Sequence, residues 1–353
     1  MKFLHMADVH LGCEPDGRSE WARERSRELW ETFRDSVADA ERMKADLVLI
    51  AGDLFHRTPD TEQLREVNYL LGSYPRICFA LIAGNHDCCS PQSAWESFDF
   101  APNVAFLGSS EPECIRFPAL SCEVYGFSYD RSRIPENRYD RLRPGKNDFF
   151  HILLAHGGDP DHIPIDPQAL ARSGFDYIAL GHIHKPSVVI PDRALYPGAL
   201  SPIDAGDEGP HGYLVGETHG TAVEIHFEKK ALREYVSAVV NVDETDTVFS
   251  TRDRVQEMIA QRGQENLYRI TIRGQRHPGV QFDTELIRSA GMILEVKDES
   301  TLAFHMEELK ERFRGQLIGR YIESFEGGAA GELEEKALQY GLEALLAGSS
   351  IDY

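Results

Sequence analysis

The run Leu47-Val-Leu-Ile50 is continuously apolar and ends in Ala51-Gly52 and then a carboxylate, Asp53. A short unbroken apolar run is what a strand buried on both faces needs, and it points to a parallel sheet in an α/β fold. A charge at the end of such a strand is costly unless it meets a cation or caps a helix. The carboxyl ends of strands are also where open α/β sheets bind their ligands. Asp53 is thus either a cap or a metal ligand, and the rest of the chain bears on the choice.

The pattern recurs. Residues 2–7 read as a strand followed by Asp8-Val-His10-Leu-Gly12, in which alternate positions face one side, so Asp8 and His10 can address a common point. Residues 76–82 end in Ala83-Gly-Asn85-His86-Asp87, residues 149–155 in His156-Gly-Gly, and residues 175–180 in Gly181-His182-Ile-His184. Any one ending is explained by a cap or a satisfied core histidine. A series of them, with histidines beside carboxylates, is better explained by one site at the strand ends.

Oxygen and imidazole donors without thiolate suit Mn, Fe(II), Zn or a mixture. Two such ions about 3.5–4 Å apart can clamp the attacking and leaving oxygens of a phosphoryl displacement. A bridging carboxylate has to hold them that close, and Asp53 is the candidate.

Between these motifs, residues 19–44 read as an amphipathic helix with Leu29, Phe33, Val37 and Ala40 at helical spacing, and 61–72 as another. Segments near 104–107 and 123–127 read as the start of a second sheet. Arg131, Arg133, Arg138, Arg141, Arg143 and Lys146 fall in one loop, read either as solvated charge or as a phosphate-contacting rim. After residue 235 the βα alternation suggests a small α+β domain. From Leu302, apolar residues recur at helical spacing until Gly327-Gly-Ala-Ala-Gly331 breaks the run, with a last helix beyond it. The boundaries read 1–235, 236–300 and 301–353.

The motifs Asp8-Val-His10, Gly52-Asp-Leu-Phe-His56, Gly84-Asn-His-Asp87, Ala155-His-Gly157 and Gly181-His-Ile-His184, in this order, resemble the calcineurin-like metallophosphoesterase family. His5-Met-Ala-Asp-Val-His-Leu-Gly12 and Tyr196-Pro-Gly-Ala-Leu-Ser-Pro202 resemble its SbcD/Mre-type DNA-repair exonuclease branch. The resemblance implies a four-layer αββα sandwich with a smaller C-terminal α+β capping domain. It implies that Asp8, His10, Asp53 and His184 hold one divalent ion, and that Asp53, Asn85, His156 and His182 hold the other. Manganese is the foremost candidate, with Fe, Zn or Mg as alternatives. His86 would sit over the scissile phosphate as a non-ligand, with Asp87 orienting its ring. His56 matches a second histidine near the phosphate, or is a surface-loop histidine.

These readings imply a DNA nuclease working with an SbcC-like coiled-coil ATPase docked on residues 301–346, and a homodimer fits the same picture. The net charge of -21, from 58 acidic against 37 basic residues, opposes a polyanionic substrate. It favours the alternative, a small-molecule phosphodiesterase or phosphatase on the same scaffold. A non-catalytic scaffold would have no need for so many polar strand ends. The opening residues are too soon polar for a signal peptide and no apolar run is long enough to span a bilayer, so a cytoplasmic location is expected, with no membrane partner. The six cysteines, at 13, 78, 88, 89, 114 and 122, are expected as free thiols.

Overall fold

The computed structural model describes residues 1–17, 19, 21–220, 222–325 and 331–347. It divides into two compact units, Met1–Tyr235 and Val236–Tyr353. In the first unit the opening elements are β1 (Lys2–Met6), α1 (Ala22–Arg42), β2 (Leu47–Ala51), α2 (Thr61–Gly72), β3 (Cys78–Ile82) and β4 (Val104–Phe106). There follow β5 (Glu113–Phe117), β6 (Cys122–Gly126), β7 (Phe150–His156), α3 (Pro167–Ala171), β8 (Tyr177–Gly181), β9 (Ser187–Ile190) and β10 (Ala194–Tyr196). β11 (Gly212–His219) and β12 (Ala222–Lys229) complete it.

Two six-stranded sheets result, ordered β12-β11-β1-β2-β3-β4 and β5-β6-β7-β8-β10-β9. β1 to β4 run parallel, as do β6, β7, β8 and β10, so their carboxyl ends lie along one edge of each sheet. Residues 104–106 pair with β3 and close the first sheet; they do not open the second, contrary to the sequence expectation.

The alternation along each strand builds the layers. Leu47 and Leu49 of β2 face Ile152 and Leu154 of β7 and Ala179 of β8 between the sheets. Val48 and Ile50 face the other way, against Phe33 and Val37 of α1 and Leu64 and Val67 of α2. Asp60 caps α2 reciprocally with Gln63, which fixes where that helix starts. On the outer face of the second sheet, Leu153, Ala155, Ile178 and Leu180 pack under Leu170 of α3 and under Phe127, Tyr129 and Tyr139 from loops. The αββα order therefore holds, with a fourth layer built mostly of loop and one five-residue helix.

The arginine-rich loop in that layer spends much of its charge internally. Arg131 pairs with Glu136, Arg133 with Asp161, and Arg138 lies over the Phe127 ring.

His5 of β1 ties the two sheets together. Its Nε2–H donates to the Leu180 carbonyl at 3.1 Å, and its Nδ1 accepts from the Tyr177 hydroxyl at 2.9 Å. The carbonyl can only accept, which places a proton on Nε2 and by itself favours the charged ring; burial outweighs it, pushes the pKa down from 6.5 to about 3 and keeps the ring neutral. The unfolded chain therefore binds a proton that the folded chain refuses between these values. Stability from this site is complete above pH 6.5 and is lost as pH falls. Between neutral pH and pH 5 the loss is about 2 kcal/mol. Urea unfolding of His5→Gln, which does not titrate, is expected to show a correspondingly flatter acid limb than wild type. Equal slopes would remove His5 from this role.

The second unit contains β13 (Tyr235–Val242), α4 (Val248–Arg262), β14 (Leu267–Arg276), α5 (Thr284–Arg288), β15 (Ile293–Asp298) and β16 (Thr301–Leu302). Val255, Ile259 and Ile287 of its helices cover Tyr268, Ile270 and Ile272 of β14. β16 pairs with β14, so the chain beyond residue 300 is joined to this sheet. The apolar run that follows forms α6 (Met306–Arg312) and α7 (Leu317–Glu323), separated at Gly315, which takes a φ of 76°. α8 (Glu332–Ala347) packs Leu342 and Leu346 with Leu309, Ile318 and Ile322. The expected break at 327–331 lies outside the described residues except for Gly331, as does everything after 347.

The six cysteines are free thiols, and among the described residues no helix is long and apolar enough to cross a membrane.

Candidate metal centre

The first two strands keep pairing past their formal ends. Asp8 N–H donates to the Gly52 carbonyl at 3.1 Å, His10 N–H to that of Asp53 at 3.0 Å, and Leu11 N–H to that of Leu54 at 2.9 Å. This zipper sets Asp8 and His10 beside Asp53. All three adopt a left-handed backbone, with φ of 50°, 52° and 49°, and His182 a φ of 101°. Such conformations cost of order 1–3 kcal/mol each and persist where the surroundings fix them, most often at functional sites.

Close approach is needed as well. A Cβ on Gly84 would fall on Asp53 Oδ1 and 2.7 Å from His156 Nε2, so the 84–87 turn can lie against the site only as glycine. Gly52, with a φ of 87°, has no room for a Cβ either, because the His156 ring fills that space.

The side chains meet in two groups that share Asp8, with Asp53 Oδ2 lying between His10 of one and His156 of the other. His10 Nε2 lies 3.1 Å from His184 Nε2 and 3.9 Å from Asp53 Oδ2, and donor atoms of Asp8, His10 and His184 lie within 4.8 Å of one another. Asp53 Oδ2 is 3.4 Å from His156 Nε2, and donor atoms of Asp8, Asp53 and His156 form a second such group. Asn85 Oδ1 lies 2.9 Å from His156 Nε2 and 3.0 Å from His182 Nδ1. Asp8 also accepts the His182 backbone N–H on both oxygens, at 3.1 and 2.9 Å. All seven expected ligands are therefore brought together.

What faces inward is almost entirely lone pairs. Nδ1–H of His156 donates to the Ala51 carbonyl at 2.8 Å, which leaves its Nε2 as an acceptor pointing at Asn85 Oδ1 and Asp53. Acceptors crowded this closely repel unless positive charge sits among them. Protons are one source. Burial works against the charged imidazole of His156, yet the Asp53 carboxylate outweighs it and pushes the pKa up to about 9. Burial likewise opposes a charged His184, and the hydrogen bond its Nδ1–H donates to the Asp207 carboxylate lifts it to about 9. Asp53 is buried too, but His156 and His10 hold its carboxyl well below the usual range. Divalent ions are the other source, and the donor set of carboxylate, amide oxygen and imidazole fits them. Their binding would displace the protons.

His86 stands at the mouth. Its side chain is exposed, its backbone N–H donates to Asp53 Oδ1 at 2.9 Å, and its ring centroid is 4.8 Å from that of His10. His56 stacks beside it with centroids 5.2 Å apart, so it belongs to the rim of the site and is not a stray loop histidine.

Asp87 does not orient the His86 ring as expected. It is buried, and its carboxylate accepts the N–H groups of Gly84 at 2.7 Å and Phe55 at 3.1 Å, which staples the 84–87 turn to the end of β2. The His86 Nδ1 lies instead 3.3 Å from the His56 carbonyl oxygen. A carboxylate offered two backbone donors in a dry interior turns to them before an exposed ring.

Two carboxylates were not foreseen. Asp159 Oδ2 lies 2.6 Å from His182 Nε2, and both oxygens of Asp207 lie 3.1 Å from His184 Nδ1. Asp159 stands three residues after His156, close enough to a motif to have drawn attention. Nothing local distinguishes Asp207 from the chain's other acidic residues.

Residues 1–186 match the family described as calcineurin-like phosphoesterase. The chain belongs to that family. The matched part of this calcineurin-like phosphoesterase includes Asp8, His10, Asp53, Asn85, His156, His182 and His184, but not Asp207. It is similar to an uncharacterized metallophosphoesterase, YhaO, of Bacillus subtilis, with 30% identity over 70% of this chain and 64% of that protein. It is also similar to DNA double-strand break repair proteins Mre11. That of Methanopyrus kandleri is 27% identical over 80% of this chain and 65% of its own length. That of Methanocaldococcus jannaschii is 28% identical over 52% of each. The chain thus spans between half and two thirds of these curated relatives.

Proposed function

We propose that this phosphoesterase is a divalent-metal-dependent DNA nuclease that hydrolyses phosphodiester bonds at the strand-end centre. The observation that carries the reading is the convergence of six acceptor side chains with a seventh, the buried carboxylate of Asp53, and a solvent-facing histidine whose backbone N–H donates to that carboxylate. Asp8, His10, Asp53 and His184 would hold one ion, and Asp53, Asn85, His156 and His182 the other, with manganese the favoured metal. Two such ions supply a water of lowered pKa and neutralise phosphate charge.

The chain's own residues do the rest. Asp53 faces both ligand groups, and its other oxygen is fixed by the His86 N–H. His86, held through its Nδ1 by the His56 carbonyl, keeps Nε2 for the phosphate, where it can stabilise developing charge or protonate the leaving oxygen. His56, stacked on it, narrows the mouth from one side. The similarity to proteins named for DNA double-strand break repair supports DNA as substrate. A partner ATPase of coiled-coil type would then dock on α6 to α8, where Leu317 and Tyr340 are exposed.

The net charge of -21 favours the second reading, a small-molecule phosphodiesterase. End-labelled duplex and hairpin DNA, incubated with Mn and with or without EDTA, separates the two. Cleavage that EDTA abolishes supports the nuclease. Intact DNA alongside rapid hydrolysis of bis-p-nitrophenyl phosphate overturns it in favour of the small-molecule enzyme.

A further inference from the structure

We propose that Asp159 and Asp207 are positioning residues that fix opposite tautomers of His182 and His184, so that each ring turns its lone pair into a different half of the metal centre. The inference rests on the two-ion reading above and adds to it which groups outside the ligand set each half depends on.

A neutral imidazole carries one N–H and one lone pair, and an ionised carboxylate can only accept. Asp159 Oδ2, 2.6 Å from His182 Nε2, therefore puts the proton on Nε2 and leaves Nδ1 facing Asn85 Oδ1 at 3.0 Å. Asp207, 3.1 Å from His184 Nδ1, puts the proton there and leaves Nε2 facing His10 Nε2 at 3.1 Å. Two histidines separated by one residue thus use different nitrogens.

Both carboxylates are themselves fixed. Asp159 Oδ1 accepts the backbone N–H groups of Asp161 at 2.7 Å and His162 at 3.0 Å, and the His162 ring nitrogen lies 2.9 Å from Oδ2. Asp207 Oδ2 accepts the N–H of Ile203 at 2.9 Å.

The other two imidazoles have less need of such support. The His10 and His156 side chains are fully enclosed, and packing fixes their rings. Those of His182 and His184 keep 13% and 24% of their surface exposed, so a ring flip is open to them unless something holds the outer nitrogen. Carboxylate partners of this kind are worth about 10–100-fold in metal affinity.

The test is a calorimetric Mn²⁺ titration of the full metal-free chain, wild type and Asp159→Ala, Asp207→Ala and the corresponding Asn variants. Circular dichroism of each metal-free variant establishes that it is folded. Each Ala variant is expected to keep one wild-type site and to weaken the other about 10–100-fold. The Asn variants, which retain an acceptor oxygen, are expected to recover part of that loss.

Combining Asp159→Ala with His182→Ala, or Asp207→Ala with His184→Ala, is expected to cost no more than the histidine change alone. Unchanged affinities, equal weakening of both sites, or additive losses in the combined variants would overturn the proposal. Wild-type protein that binds fewer than two ions overturns the two-ion reading beneath it, and is recognised before any variant is compared.

Discussion

Asp53→Asn is expected to lower the bound metal from two ions per chain to one or none, and to reduce hydrolysis of bis-p-nitrophenyl phosphate by roughly a thousandfold or more. The size follows from the several kcal/mol that a metal pair contributes to transition-state charge stabilisation, each 1.36 kcal/mol being a factor of ten in rate. The substitution is nearly isosteric and keeps an oxygen on the His86 N–H. What it removes is the negative charge whose Oδ2 lies 3.9 Å from His10 Nε2 and 3.4 Å from His156 Nε2. Elemental analysis after dialysis reads the metal, and initial rates read the activity. A variant that retained two ions and most of its turnover would show that Asp53 does not bridge.

His86→Ala is expected to leave both ions in place and to lower turnover about 10²–10³-fold, the loss typical of removing one donor to a developing oxyanion. The distinction from Asp53 is geometric. Among the described residues the His86 ring hydrogen-bonds to the His56 carbonyl oxygen, at 3.3 Å, and to no ligand side chain, although a ring nitrogen comes within 4.8 Å of one on His10. Metal content and rate are measured on the same preparation. Should both fall together, His86 is a ligand and its assignment over the phosphate is wrong.

The strand ends were readable because the sequence writes them twice, once as an apolar run and once as the polar residues that stop it. Leu47 to Ala51 is wholly buried, and Asp53 sits where the run predicts. Val104–Phe106 was misplaced because a three-residue strand carries no information about which sheet it joins; its partner β3 decides that through backbone pairing. The role of Asp87 was misread for a related reason. Sequence proximity suggested a contact with the neighbouring ring, whereas the folded turn offers two backbone N–H groups that a buried carboxylate meets first. Asp207 was out of reach altogether, since its partner His184 lies in a different loop and only the closed fold brings them within 3.1 Å.

The candidate ligands are shared between the two sheets. Asp8, His10, Asp53 and Asn85 follow strands of the first, while His156, His182 and His184 come from the second. On the proposed assignment neither ion can be fully coordinated by one sheet alone. A nascent chain therefore has no complete trap for a cation until synthesis has passed His184 and the two halves have closed. The ions would then act as a late clasp, favouring finished protein over every partly assembled intermediate and making chelation a way to loosen the sandwich as well as to silence it.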